Sequence, residues 1–271
     1  MRIAQLLSRA LLANRRPQRL VSRKGILWQL DLREAIDFSI YLTGSFQHSV
    51  VRQCVKHISS DAVVLDIGAN RGSMSIQIAK FRSDCEIYSI EPVDEMIRKF
   101  EMLIHDNPNL SKRIHLQQVF LGSENKVGIG QKPPALDASW NLFDKSRSNP
   151  HTGATALTSS QSTFETLDGF VARHNLGRID LVKLDVDGYE LGVLLGGKKT
   201  FAILRPVVVS EWAPYSLFQR GVPAEAVAEL WDSYGYRPFR IRRLGEPRSI
   251  RWSDLLKIKH HDHCELLLIP N

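Results

Sequence analysis

Cysteine is scarce in this chain. Cys54, Cys85 and Cys264 are three, an odd number, and far apart. They form neither a disulfide framework nor a metal-ligand spacing, which points to a reducing, cytoplasmic setting. Long apolar runs are also missing. No stretch approaches the ~20 residues that a membrane span needs. Acidic charge is missing from one end. Residues 1–24 hold seven basic residues (Arg2, Arg9, Arg15, Arg16, Arg19, Arg23, Lys24) and no acid. The net charge of the whole chain is +7, so the remaining body is close to neutral. A nucleic-acid enzyme more often carries its basic residues on the folded domain, which makes a nucleic-acid partner a poor fit.

The basic segment includes Leu6-Leu7-Ser8-Arg9-Ala10-Leu11-Leu12. Arg9 interrupts the run and spoils a secretory signal. Residues 1–24 are therefore expected to be an arm: a docked terminal helix, or a peripheral contact with an anionic membrane or a protein. Residues 25–271 are expected to form one domain, with a strand or lid segment at 25–60. The 43% apolar and 24% charged content is ordinary for a globular protein.

One more absence is informative. Residues 63–72 read Val-Val-Leu-Asp-Ile-Gly-Ala-Asn-Arg-Gly, a buried strand running into a turn that opens a helix. The turn lacks the G-x-G-x-x-G of a dinucleotide site, whose second Gly lets backbone approach a pyrophosphate. Here Ala69 and Asn70 stand between Gly68 and Gly72. Nineteen residues on, a second strand, Glu86 to Ile90, ends at Glu91, placed to hold ribose hydroxyls. A nucleoside without a phosphate fits this pair, and S-adenosylmethionine (SAM) is such a cofactor. A nicotinamide oxidoreductase is disfavoured by Asn70.

Apolar strands alternate with amphipathic helices from residue 50 to 235, which predicts a parallel sheet with helices on both faces. Strands are expected at 26–32, 63–66, 86–90, 114–121, 179–185, 207–211, 236–241 and 264–269. Helices are expected at 49–58, 73–81, 94–105, 164–174, 189–195 and 222–234. The fold class is α/β: a Rossmann-like, seven-stranded sheet, mostly parallel, ending in an antiparallel strand. Residues 123–163 have no periodicity, and Trp140, Leu142 and Phe143 form a small apolar cluster there. A loop this long after a strand tip reads as a substrate lid.

The segments Leu65–Gly72, Ile90-Glu91-Pro92, Phe120-Leu-Gly122, Thr166-Leu-Asp168, Ile179–Gly188 and Arg205–Glu211 occur in order. Together they resemble the FkbM family of SAM-dependent methyltransferases over roughly residues 25–270. The resemblance implies O-methylation of hydroxyls on sugars, glycans or related bacterial metabolites. The sequence departs from the family at Asp187, where Lys-x-Asp-x-Glu-Gly is usual. Alternatives are a nucleic-acid methyltransferase and a non-catalytic SAM-binding scaffold.

Ligands of open α/β sheets lie beyond the carboxyl ends of the strands. Asp66, Gly68, Asn70 and Gly72 are therefore expected to hold the methionine end of SAM, Glu91 the ribose, and Leu121 and Gly122 an adenine edge. Asp185 is the candidate base and Glu211, beside Trp212, a candidate for gripping the acceptor. No metal is expected: Asp185, Asp187 and Glu190 lack a His partner, and His260, His261 and His263 lack a second ligand group. Gly192–Lys199 mimics a phosphate loop but sits in a helix.

Overall fold

In the computed structural model, residues 16–124, 134–143, 154–159, 162–259 and 262–271 are described. The arm residues 1–15, His260 and His261 lie outside them.

The strands in chain order are β1 (Gln18–Arg23), β2 (Ile26–Asp31), β3 (Val63–Ile67), β4 (Glu86–Ile90), β5 (Ile114–Gln117), β6 (Val119–Gly122) and β7 (Leu136–Ser139). They continue as β8 (Thr155–Leu157), β9 (Thr163–Thr166), β10 (Leu181–Leu184), β11 (Val207–Trp212), β12 (Tyr236–Arg240), β13 (Arg248–Ser249) and β14 (Cys264–Pro270). The central sheet runs β13-β12-β14-β11-β10-β3-β4-β5. Strands β11, β10, β3, β4 and β5 are parallel, and β14 is antiparallel to both β11 and β12. This is the expected α/β sheet, with a two-residue eighth strand, β13, added at one edge. The chain leaves β3 toward β4 and later returns to its other side with β10. That reversal opens a crevice over the tips of β3 and β10.

Period-two alternation explains why both faces are covered. Val64, Leu181 and Val209 point into one apolar cluster, while Leu65, Val182 and Val208 point into the other. The first cluster also receives Trp28, Leu30 and Leu32, each at most 1% exposed. Burying such side chains contributes about 1.5–3 kcal/mol apiece. The β1–β2 hairpin is thus packed into the main core. It also takes in Gln18–Arg23, which the sequence assigns to a basic arm. Arg23 is held there, donating to the Tyr41 carbonyl at 2.9 Å.

Several local expectations change. Residues 35–43 are a helix, closed by Gly44 at φ 74°. The strand expected over 114–121 breaks at Gln118. Its first half, β5, stays in the central sheet, and its second half, β6, pairs in parallel with β9. The helix expected from 164 starts at Leu167, because Thr166 caps it by accepting from the Gly169 N–H at 3.0 Å. Within 123–163, β7 and β8 pair antiparallel. Helices at Pro214–Gln219 and Trp252–Leu255 and the π-helical turn Thr200–Leu204 have no counterpart in the sequence-based expectation.

Candidate active site

The turn after β3 is set by glycine. Gly68 has φ 77°, and a Cβ there would overlap the Asp185 carbonyl oxygen. The turn therefore lies directly against the tip of β10. Gly72, at φ 83°, caps the helix Ser73–Phe81 and packs on the Phe100 ring. The backbone of Asn70 is also left-handed, at φ 50°. Its N–H donates to Glu91 Oε2 at 2.8 Å, while the other Glu91 oxygen accepts from the Val93 N–H at 2.9 Å. Two backbone donors thus hold a carboxylate that is 5% exposed. Each oxygen keeps a second lone pair for a ligand hydroxyl. Burial pushes Glu91 up to about 7, against the two backbone hydrogen bonds.

A narrow cleft of about 50 Å³ is lined by Gly68, Asn70, Ile90, Glu91, Leu121, Asp185 and Asp187. Leu136, Asp137 and Ala138 of β7 cover it. Beside it lies a larger cavity of about 760 Å³. Its wall includes Phe46 and Gln47 from the N-terminal region, Trp140 after β7, and Tyr215. Lys183, Asp185, Asp187, Glu211, His263 and Glu265 supply the charge. Gly68, Asn70, Asp185 and Asp187 border both spaces.

The donor set fits a phosphate-free nucleoside: one oriented carboxylate for vicinal hydroxyls, a glycine turn with no room for a side chain, and an apolar rim at Ile90 and Leu121. A methyl transferred from such a cofactor would cross at the shared border.

Carboxylates dominate that border. Asp185, Asp187 and Glu211 have carboxylate oxygens within 4.8 Å of one another. Burial, then the neighbouring acids, pushes Asp187 and Glu211 well above the carboxylate range. Glu265 is raised to about 7 by burial and by Asp185. Glu190 also rises to about 7 through burial. Its carboxylate turns back onto its own loop, accepting from the Val186 N–H at 3.3 Å.

The predicted residues separate into two groups. Gly68, Asn70, Glu91, Leu121, Asp185 and Glu211 line the two spaces. Asp66, Gly72 and Gly122 line neither among the cavities resolved. Asp66 is fully buried under the turn, accepting from Ser75 Oγ at 2.5 Å, so it reaches the cavity only through its neighbour Lys183. Gly122 instead packs against Gly196, where a Cβ would overlap its carbonyl oxygen. The Asn70 side chain faces the cover, its Nδ2 donating to the Ala138 carbonyl at 3.4 Å. Asp168 is structural: it accepts from the backbone N–H groups of Lys199 and Thr200, both at 2.9 Å. His263, set aside as a metal ligand in the sequence, lines the large cavity 4.0 Å from Glu211.

The sequence-based site lacks Lys183, Tyr215, Trp140 and the β7 cover. Two of these had a signal: Lys183 as the first residue of the Lys-x-Asp-x-Glu-Gly pattern, and Trp140 in the apolar cluster at 140–143. Glu34 fixes that segment: it accepts from Ser139 Oγ and from the Trp140 N–H, each at 2.9 Å.

No helix among the described residues is long and apolar enough to cross a membrane. The methyltransferase FkbM domain model matches residues 66–238. The 2-O-methyltransferase NoeI of Sinorhizobium fredii is 26% identical over 194 residues, covering 68% of this chain and 77% of that protein. Among solved structures, P. horikoshii TYW2 in complex with MeSAdo is similar at 15% identity and a TM-score of 0.46, covering 100% of this chain and 83% of that one. A putative SAM-dependent methyltransferase from Streptococcus mutans is similar at 12% identity and a TM-score of 0.47, covering 93% and 55%. With a family match over residues 66–238, more than half its length, the chain belongs to the FkbM family of SAM-dependent methyltransferases.

Proposed function

We propose that the protein transfers the SAM methyl group to a hydroxyl of a sugar, glycan or related bacterial metabolite. The observation that carries this reading is the shared border: Asp185 and Asp187 line both the nucleoside cleft and the large cavity. Displacement at a sulfonium needs the acceptor oxygen in line with the methyl, so positioning between two adjoining spaces supplies much of the rate. Asp185 takes the hydroxyl proton as the oxygen–carbon bond forms. Glu211 accepts a hydrogen bond from the acceptor. Glu91 accepts from the ribose, the Gly68–Asn70 turn holds the methionine end, and Leu121 borders the adenine.

Carboxylates beside Trp140 and Tyr215 suit hydroxyl groups and the apolar faces of sugar rings. The same acids oppose a polyphosphate chain, which disfavours the nucleic-acid alternative. The similar protein's name, 2-O-methyltransferase, accords with a hydroxyl acceptor.

The test is transfer of radiolabelled methyl from SAM to a panel of methyl glycosides, with tRNA and duplex DNA as competitors. Label in a glycoside ether is expected. Label in nucleic acid with none in any glycoside would overturn the proposal.

A further inference from the structure

We propose that Lys183 is the positioning residue of methyl transfer: its ammonium fixes the Asp185 carboxylate at the border of the two cavities and ties it to the cofactor turn. This rests on the reading that Asp185 receives the acceptor proton.

Lys183 lies inside β10, between Asp66 of β3 and Val209 of β11 in the sheet register. A lysine that is 6% exposed in a sheet interior needs partners. Its Nζ lies 3.1 Å from Asp185 Oδ2 and donates to the Gly68 carbonyl at 3.3 Å. Asp66 Oδ1 is farther, at 3.9 Å, and has no hydrogen-bond partner. If the lysine served only as counter-ion to Asp66, the shortest contact would be to Asp66. It is to Asp185, the side chain that lines both spaces.

The surroundings explain why Asp185 needs this cation. Asp66 faces it from β3, Asp187 and Glu190 from the segment after β10, Glu211 from β11 and Glu265 from β14. Lys183 is the cation placed among them. Burial alone would pull its ammonium down. The carboxylates of Asp185 and Asp66 outweigh that and hold it above the ordinary lysine value. Without Lys183 the Asp185 carboxylate loses its ammonium partner at 3.1 Å and is left facing other acids.

The balance of the step depends on the acceptor proton. The acceptor oxygen forms a bond to the methyl carbon, and the carbon–sulfur bond breaks with its electron pair staying on sulfur. The hydroxyl proton passes to Asp185. Sulfonium and carboxylate become thioether and carboxylic acid, so net charge is conserved. An Asp185 that is already protonated cannot serve.

The experiment uses the full chain with carboxyl-¹³C aspartate, the Asp185 signal being assigned by its loss in Asp185→Asn. In Lys183→Met the Asp185 titration is expected to move up by about one to three pH units. Transfer to the methyl glycosides should fall about 100-fold at pH 7 and partly recover at higher pH. The SAM dissociation constant, by calorimetry, should stay within about threefold. Lys183→Arg should restore the titration and the turnover. An unmoved titration, or a large loss of SAM affinity without one, would overturn the proposal. If Lys183→Met fails to fold, the ¹⁵Nζ resonance of Lys183 is compared between the parent chain and Asp185→Asn. A shift with faster proton exchange is expected, and an unmoved resonance overturns the proposal. Normal turnover in Asp185→Asn would instead remove the base assignment, leaving the ammonium–carboxylate tie measurable by itself.

Discussion

The two spaces that meet at Asp185 are built by different means. The narrow cleft, the proposed cofactor side, is made largely of backbone at strand tips: a glycine turn, a carboxylate held by two N–H groups, and a β6 rim. The larger cavity shares the 68–74 turn and helix start, but most of its wall is side chains from six further stretches, 35–36, 46–47, 140, 183–187, 211–216 and 262–265. A backbone cradle constrains sequence at fixed spacings, because only certain residues tolerate its dihedrals. A side-chain cavity constrains only what meets in space.

Mutations at the border and on each side sharpen that contrast. The largest effect is expected for Asp185→Asn, which removes the proton acceptor while keeping the shape. Turnover on methyl glycosides should fall at least about 100-fold, with SAM affinity changed little. Glu91→Ala should act on the cofactor side alone. It deletes charge-assisted hydrogen bonds worth about 1.5–3 kcal/mol each, so SAM should bind about 100-fold more weakly by calorimetry. Turnover at saturating SAM should stay near normal. If Glu91→Ala spares SAM affinity but cripples acceptor use, the two sides have been assigned the wrong way round. Trp140→Ala should act on the acceptor side alone, raising the glycoside KM several-fold with SAM affinity unchanged. The loss matches about 1 kcal/mol of aromatic contact.

The smallest effect is thermal. Burial raises Glu91, Glu190 and Glu265 each to about 7, from the ordinary glutamate value of 4.5. A carboxyl raised in the folded state adds stability that is complete below its unfolded value and lost as pH climbs through the folded value. The cofactor-free melting temperature should therefore drop between pH 5 and pH 8. SAM brings a sulfonium and ribose donors to the ionised acids, so its stabilising shift should be greater at pH 8. Equal shifts at pH 5.5 and 8 would separate the acid nest from cofactor binding.

Legibility followed the same division. The β3 turn, Glu91, the alternating sheet and its antiparallel end are written in local patterns, and most elements begin where periodicity places them. Gln118 shows the limit. Nothing in Ile114–Leu121 marks the residue where the chain leaves one sheet for another, because β6 is defined by its partner β9, about 40 residues away. Asp66 shows another. A carboxylate two residues before the turn looks like a ligand, but strand alternation sends it inward to Ser75. Lys183 stood in the Lys-x-Asp-x-Glu-Gly pattern, but its purpose did not: only the acids converging from β3, β11 and β14 reveal why a cation is there.

The family match begins at residue 66, yet Arg71 inside it is not self-sufficient. Its guanidinium is buried, pairs with Asp37 and donates to the Gln29 carbonyl at 2.7 Å. Breaking a buried pair of this kind costs about 3–5 kcal/mol. A fragment trimmed to 66–238 would strand that cation at the foot of the nucleoside turn. In this chain the turn and the helix upstream of the matched segment are one packed unit.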